Sequence, residues 1–202
     1  ERARERAREG ATQRHRYQQY APPSAMPADT VSIYTGGSAL TRKKDEPPPP
    51  AGYGFVAVTG GQGRDHVQGT EVAQASGHIV AGQTPGVHTT TENLAALVAF
   101  VEAIRAAGRQ PDMLGRPICI RYCNCYAANV CTGAWKAKKH RAMAEVGRQL
   151  WRQLQQETRG RVWMQRVSPK SRGMRHIEKA ESLALEARTT GLRTYRRSTL
   201  GL

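Results

Sequence analysis

Four cysteines, Cys119, Cys123, Cys125 and Cys131, fall within thirteen residues, and their spacing tests two chemistries at once. They are too few and too close together for the disulfide framework of a small secreted domain. A zinc site would want paired C-x-x-C ligands; there is no such pair, and His140 is the only histidine nearby. The cysteines therefore read as free thiols of a reducing compartment. Gly36 and Gly37, inside "SIYTGGSAL", lack the spacing of a phosphate-binding loop. What remains is cationic chemistry. Lys136, Lys138, Lys139, Arg141, Arg148 and Arg152 form one set; Lys170, Arg172 and Arg175 form a second; Arg193, Arg196 and Arg197 form a third. Such side chains hold phosphates without reading a base sequence. Tyr195 and Trp135 could add stacking, although core packing is the expectation for Trp135, as for Trp151.

The charge balance agrees. The 202-residue chain carries a net charge of +15. Residues 31–134 hold eight Lys and Arg against seven acids, whereas 135–202 hold seventeen against five. A basic half on a nearly neutral half points to a polyanionic partner, nucleic acid first among them. No apolar run reaches the ~18 residues of a membrane span, so no membrane partner is expected. The chain opens at Glu1 without an initiator methionine or a hydrophobic signal core, which reads as a fragment or a processed form.

The elements that must carry these residues follow from pattern. Residues 1–30 read as a basic, Pro/Ala-rich extension, 31–190 as the folded domain and 191–202 as a basic tail. Strands are expected at "VSIYTGG", at 51–60, at 76–83, at 117–123 and at 161–169. A helix is expected over 89–108, capped by Thr90 or Thr91, with Leu94, Leu97, Val98, Val101 and Ile104 on its apolar face and Gly108 at its end. A short helix over 124–135 and a long one over 136–160 follow. The long helix would turn Met143, Val146, Leu150 and Leu154 inward and set Lys138, Arg141, Arg148 and Arg152 on another face. A last helix over 174–191 turns Ile177, Ala180, Leu183, Ala184 and Ala187 inward. Three strands followed by strand–helix alternation imply an α/β fold: a mixed five-stranded sheet, antiparallel first and parallel after, flanked by helices.

With these particular words, that order resembles the ribonuclease H family over about 31–188. "IYTGGS" is similar to the family's strand-one motif Y-T-D-G-S, and "AGYGFVAV" to its A-G-x-G strand two. "TENLAAL" resembles T-N-N-x-A-E-L, "CNCYAANV" resembles D-S-x-Y with its short helix, "AWKAKK" resembles the Trp-Lys stretch, and "IEKAESLA" resembles N-E-x-A-D-x-L-A. The resemblance implies an RNase H-like fold. It also implies a centre that cleaves the RNA strand of RNA–DNA hybrids with two magnesium ions held by four carboxylates. Magnesium is a hard ion that wants oxygen ligands, and two of them clamp the attacking and leaving oxygens.

Here those four positions fall on Gly36, Ala96, Cys123 and Glu181, so three carboxylates are missing and the fourth is changed from Asp to Glu. The loop before the last helix, "SPKSRG" (168–173), also lacks the histidine that relatives usually place there. Glu92, one turn before Ala96, is the nearest substitute, while Glu178 matches the motif's own Glu. A cysteine thiolate is a poor magnesium ligand, and Cys123 reads first as a small buried hydrophobe. No catalytic residue, no metal, no cofactor and no small-molecule substrate are therefore expected. The expectation is a pseudoenzyme that binds structured RNA, rRNA foremost, beside neighbouring proteins in a large ribonucleoprotein. A mitochondrial ribosome is the analogy that suggests a mitochondrial location. A divergent metal-dependent ribonuclease H and a retroelement-derived protein-interaction module are the alternatives.

Overall fold

A computed structural model describes residues 20–41, 46–60, 69–167 and 174–197. Three strands come first: β1 (Val31–Ala39), β2 (Ala51–Thr59) and β3 (Thr70–Ile79), paired as an antiparallel meander. Helix α1 (Glu92–Arg109) and the single turn α2 (Pro111–Leu114) lead to β4 (Ile118–Tyr122), which lies parallel to β1. Helices α3 (Cys125–Cys131) and α4 (Arg141–Glu157) precede β5 (Val162–Arg166), parallel to β4. Helix α5 (Met174–Thr190) and a short strand β6 (Thr194–Arg197) finish the described chain. The sheet order is β5-β4-β1-β2-β3-β6.

The sheet therefore has six strands, not five. The sixth lies in what reads by sequence as the tail, and it pairs antiparallel with β3, where the Thr194 and Ser76 hydroxyls bond at 2.9 Å. The third strand runs over 70–79 rather than 76–83, because the chain turns away at Gly82, whose φ of 78° suits glycine.

Side chains alternate across each strand, and the two faces have different covers. On one face Ile33, Phe55, Ile118, Ile120, Tyr122 and Met164 pack beneath α1, α3 and α4, with Phe100 and Trp151 fully buried between them. On the other, Tyr34, Val56 and Val58 meet Ile177 and Ala180 of α5. Tyr20, at the start of the described chain, stacks edge-on against Trp151 at 5.4 Å, and its carbonyl accepts from the Met164 amide at 2.8 Å. That contact covers part of the β5 edge.

Helix ends depart from the pattern for identifiable reasons. Thr91, not Thr90, caps α1 by accepting from the Leu94 amide at 3.1 Å; Thr90 donates to the Pro49 carbonyl instead. Gly108 does not end α1. The helix runs to Arg109 and stops at Gln110, which precedes Pro111 and is held extended at φ −112°, ψ 106°. Helix α4 begins five residues later than its pattern implies, because His140 sits left-handed at φ 55°. Val146 is 36% exposed rather than inward. Gly147 takes the inner position, so close to Cys131 of α3 that a side chain there would strike its Sγ. Among the described residues, no helix is long and apolar enough to cross a membrane.

Candidate functional site

A cavity of about 260 Å³ opens between β1, β4, α1 and α5, and Gly36, Ala96, Cys123 and Glu181 all line it. The four positions singled out by sequence are thus one place in space. Glu92, from the first turn of α1, joins them there.

Two successive glycines set its shape. The side of β1 at Gly36 faces α5, and the side at Gly37 faces α1. A Cβ added at Gly36 would lie 2.5 Å from the Glu181 amide nitrogen, 2.7 Å from the Ala180 carbonyl carbon and 2.8 Å from the Glu181 Cα. At Gly37 it would strike the Ala96 and Ala95 backbone. Gly36 pairs with Gly54, and Gly52 lies two residues along, so three glycines form one smooth surface beneath Ala180 and Ala184. The α5 backbone therefore fills the space that a side chain at position 36 would need.

The carboxylates that remain crowd each other. Glu181 is an exposed residue, but partial burial of its carboxyl, then the neighbouring Glu178 and Glu92, pushes that group above its ordinary value. Cys123 packs against the Tyr34 and Val56 cluster as a small hydrophobe, but it is half-buried rather than buried and also lines the cavity. Burial, followed by Glu181, raises its thiol, against a smaller opposing pull from Arg166. A protonated thiol, an alanine and a glycine supply no oxygen for a hard ion. Among the described residues, no three His, Cys, Asp or Glu side chains converge on a common point as ligands. The residues present do not fit a two-magnesium centre.

A histidine does lie near, and the sequence reading passed over it. His176, in the first turn of α5, is buried and its ring lies 5.0 Å from that of Tyr34. It faces the sheet rather than the cavity, and burial, then Arg175, lowers its pKa. Against the same tyrosine, fully buried Arg121 lies 5.6 Å from the ring centroid and donates to Ser32 and Gln165. Neither was foreseeable, since a buried arginine on an apolar strand shows no periodic signal.

The basic residues fall into distinct settings. Lys136, Lys138 and Lys139 are exposed on the loop between α3 and α4, so Lys138 does not share a helix face with Arg141. Trp135, beside them, is 37% exposed rather than packed in the core. Contacts at both ends anchor the loop. The Trp135 amide donates to Asn129, the Tyr126 hydroxyl donates to the Lys139 carbonyl at 2.8 Å, and His140 Nε2 meets Thr91 Oγ1 at 3.1 Å. Arg141 and Arg152 are exposed on α4. Arg148 is a tie between helices: it donates to the Val130 carbonyl and pairs with Glu145, both at 3.0 Å. Arg175 is exposed at the start of α5, while Lys170 and Arg172 lie outside the described residues. Arg193 pairs with Glu102 at 3.8 Å, and Arg197 pairs with Asp112. Arg196 lies exposed on β6, its register position facing the opposite side of the sheet from Arg197.

No protein-family model matches the chain, and no curated protein matches it by sequence. Solved structures do. The RNase H1 of the halophilic archaeon Halobacterium salinarum superposes with a TM-score of 0.52 at 25% identity, over 78% of this chain and 96% of that one. LC11-RNase H1 bound to an RNA/DNA hybrid gives 0.54 at 20% identity, over 79% and 96%. The RNase H domain of prototype foamy virus, solved in solution, gives 0.55 at 18%, over 82% and 95%. Element order, sheet topology and these superpositions agree: the chain has the RNase H-like fold.

Proposed function

We propose that this chain is a catalytically inactive RNase H-like domain that binds structured RNA as a component of a large ribonucleoprotein, with a mitochondrial ribosome as the assembly. One observation carries the reading: the cavity where the fold's carboxylates would converge holds a glycine, an alanine and a thiol, and the α5 backbone occupies the first of those places. The exposed loop Trp135–Lys139, with Arg141 and Arg152 beyond it, supports RNA binding by phosphate contact. An A-form helix read by shape suits such a surface. The test is co-sedimentation of the native protein with ribosomal particles, with and without RNase, together with binding of purified protein to duplex RNA at moderate salt. Free sedimentation and no duplex binding would end the proposal.

Glu92 and Glu181, which both line the cavity, favour a second reading as a divergent nuclease. A hybrid-cleavage assay with Mg²⁺ and with Mn²⁺ decides it: activity abolished by Glu181→Ala establishes the second reading over the first.

A further inference from the structure

A second cavity, of about 400 Å³, lies between α1 and the β6 edge of the sheet. Ala96 and Arg105 are nine residues apart on α1, so the two cavities lie about 14 Å apart along it. The volume is ordinary for a small-ligand pocket, and its chemistry is not that of the first cavity. The sheet supplies an aromatic floor of Tyr53, Phe55 and Tyr195. Four arginines rim it: Arg105 and Arg109 from α1, Arg193 and Arg197 from β6 and its approach.

Strand alternation explains the grouping. Tyr195 pairs with Ala75, which pairs with Phe55, so Arg193, Tyr195 and Arg197 share the α1 face. Tyr53 and Phe55 are buried at 6% and 2% exposure, but Tyr195 is 54% exposed. Its hydroxyl accepts from Gln110 Nε2, so the phenol end is tethered while a ring face stays open. Of the cations, Arg105 and Arg193 share Glu102, and Arg197 is held by Asp112. Arg109 has no hydrogen-bond or ion-pair partner among the described residues. An open aromatic face beside an unpaired guanidinium matches a ligand with a planar ring and a nearby phosphate. A base within a duplex is stacked on both sides and cannot enter, so the ligand must be unpaired.

We propose that this cavity binds one nucleotide, with its base on Tyr195 and its phosphate on Arg109. The nucleotide is either part of a single-stranded RNA or a free nucleoside phosphate. This goes beyond the duplex-binding surface proposed above and does not depend on it.

The probe is a hexaribonucleotide carrying 2-aminopurine, whose fluorescence is quenched by stacking, titrated into the full chain. Tyr195→Ala should weaken binding about tenfold or more. Arg109→Gln should weaken it and reduce the salt slope by about 0.7. Arg159→Gln removes a charge from a turn that does not line the cavity and should bind as the parent protein does. Adenosine 5′-monophosphate competing for the site identifies the free nucleotide as a ligand, whereas competition by longer RNA alone assigns the site to a strand. Ribose 5-phosphate competing as well as the nucleotide would overturn the proposal, since the base would then contribute nothing. So would unchanged binding in both Tyr195→Ala and Arg109→Gln. If Tyr195→Ala loosens β6, Arg109→Gln on α1 still decides. Duplex RNA affinity, measured on the same variants, separates the two proposals, because either can be lost while the other stands.

Discussion

Gly36→Ala is the smallest perturbation that tests whether α5 closes the first cavity. At a strand position with room, removing glycine restricts the unfolded chain and stabilises by about 0.4–1 kcal/mol. The geometry here reverses that sign. The new methyl carbon would lie 2.5–2.8 Å from three backbone atoms of Ala180 and Glu181, against an ordinary contact of about 3.5 Å. The helix must retreat by about 1 Å, and it cannot do so locally, since Ala180 and Ala184 sit just as closely over Gly54 and Gly52. A gap of that size forfeits a quarter to a half of each dispersion contact along the seam. Overpacking costs about 1–3 kcal/mol, and backbone against backbone belongs at the upper end. For a chain of this length each kcal/mol moves Tm by about 2–4 °C. Gly36→Ala should therefore lower Tm by about 6–12 °C in calorimetry or in thermal unfolding followed by circular dichroism. Gly36→Asp should lower it further, because it adds a carboxyl beside the already crowded Glu181. Ala96→Gln, on the half-buried α1 wall of the same cavity, adds no carboxyl beside Glu92 and Glu181 and serves as the tolerated comparison. An unchanged or higher Tm in Gly36→Ala would refute the reasoning. So would Mg²⁺-dependent hybrid cleavage by Gly36→Asp combined with Ala96→Glu and Cys123→Asp.

Four further outcomes follow from the same geometry. The raised Glu181 carboxyl means that the folded state holds its proton the tighter, so stability is lost as pH rises through the ordinary carboxyl value of 4.5. Glu181→Gln should raise Tm at pH 7 and leave it unchanged at pH 3. His140 and His176 are lowered by burial, then by Lys139 and Arg175 respectively, so their contribution is full above the ordinary 6.5 and falls as pH drops below it; His176→Phe, which keeps an aromatic ring beside Tyr34, should flatten the decline of Tm between pH 7 and 5. Thr91→Ala removes both the α1 cap and the partner of His140, and should cost about 1 kcal/mol in denaturant unfolding and weaken duplex RNA binding through the loosened Lys136–Lys139 loop. Arg152→Gln should reduce the salt slope of duplex binding by about 1 with Tm unchanged, whereas Arg148→Gln should lower Tm, because that side chain ties α4 to α3.

The site was legible because its motifs are anchored to strand ends and helix starts, which the hydrophobic pattern marks well. Ser32–Thr35 alternates and then meets two glycines, and Thr91 precedes an apolar helical face, so both landmarks survive although Gly36 and Ala96 carry no acid. What stayed hidden depends on partners distant in sequence. Strand β6 is four residues long and carries two arginines, so charge masks its alternation, and only pairing with β3 orders it. The start of α4 is set by His140 reaching Thr91 across 49 residues, a contact that no local propensity encodes. The second cavity needed both: its floor exists only when β6 is a strand, and its unpaired cation is recognised only after Glu102 and Asp112 have claimed the others.

On the proposed reading, loss of chemistry and tight packing are one change rather than two. An aspartate at position 36 would hold α5 away from β1, and an ion beyond it would justify the gap. With glycine there, the helix descends onto Gly36, Gly54 and Gly52, and the apolar surface of Ile177, Ala180 and Ala184 is fully buried. Close packing of this kind contributes stability that a stand-off helix lacks. A step back toward an acid at position 36 must then displace backbone before a ligand can form, so that reversion alone meets a cost with no catalytic return. Selection on such a chain acts on what the fold still presents outward, which is its cationic loop, its α4 arginines and its open tyrosine.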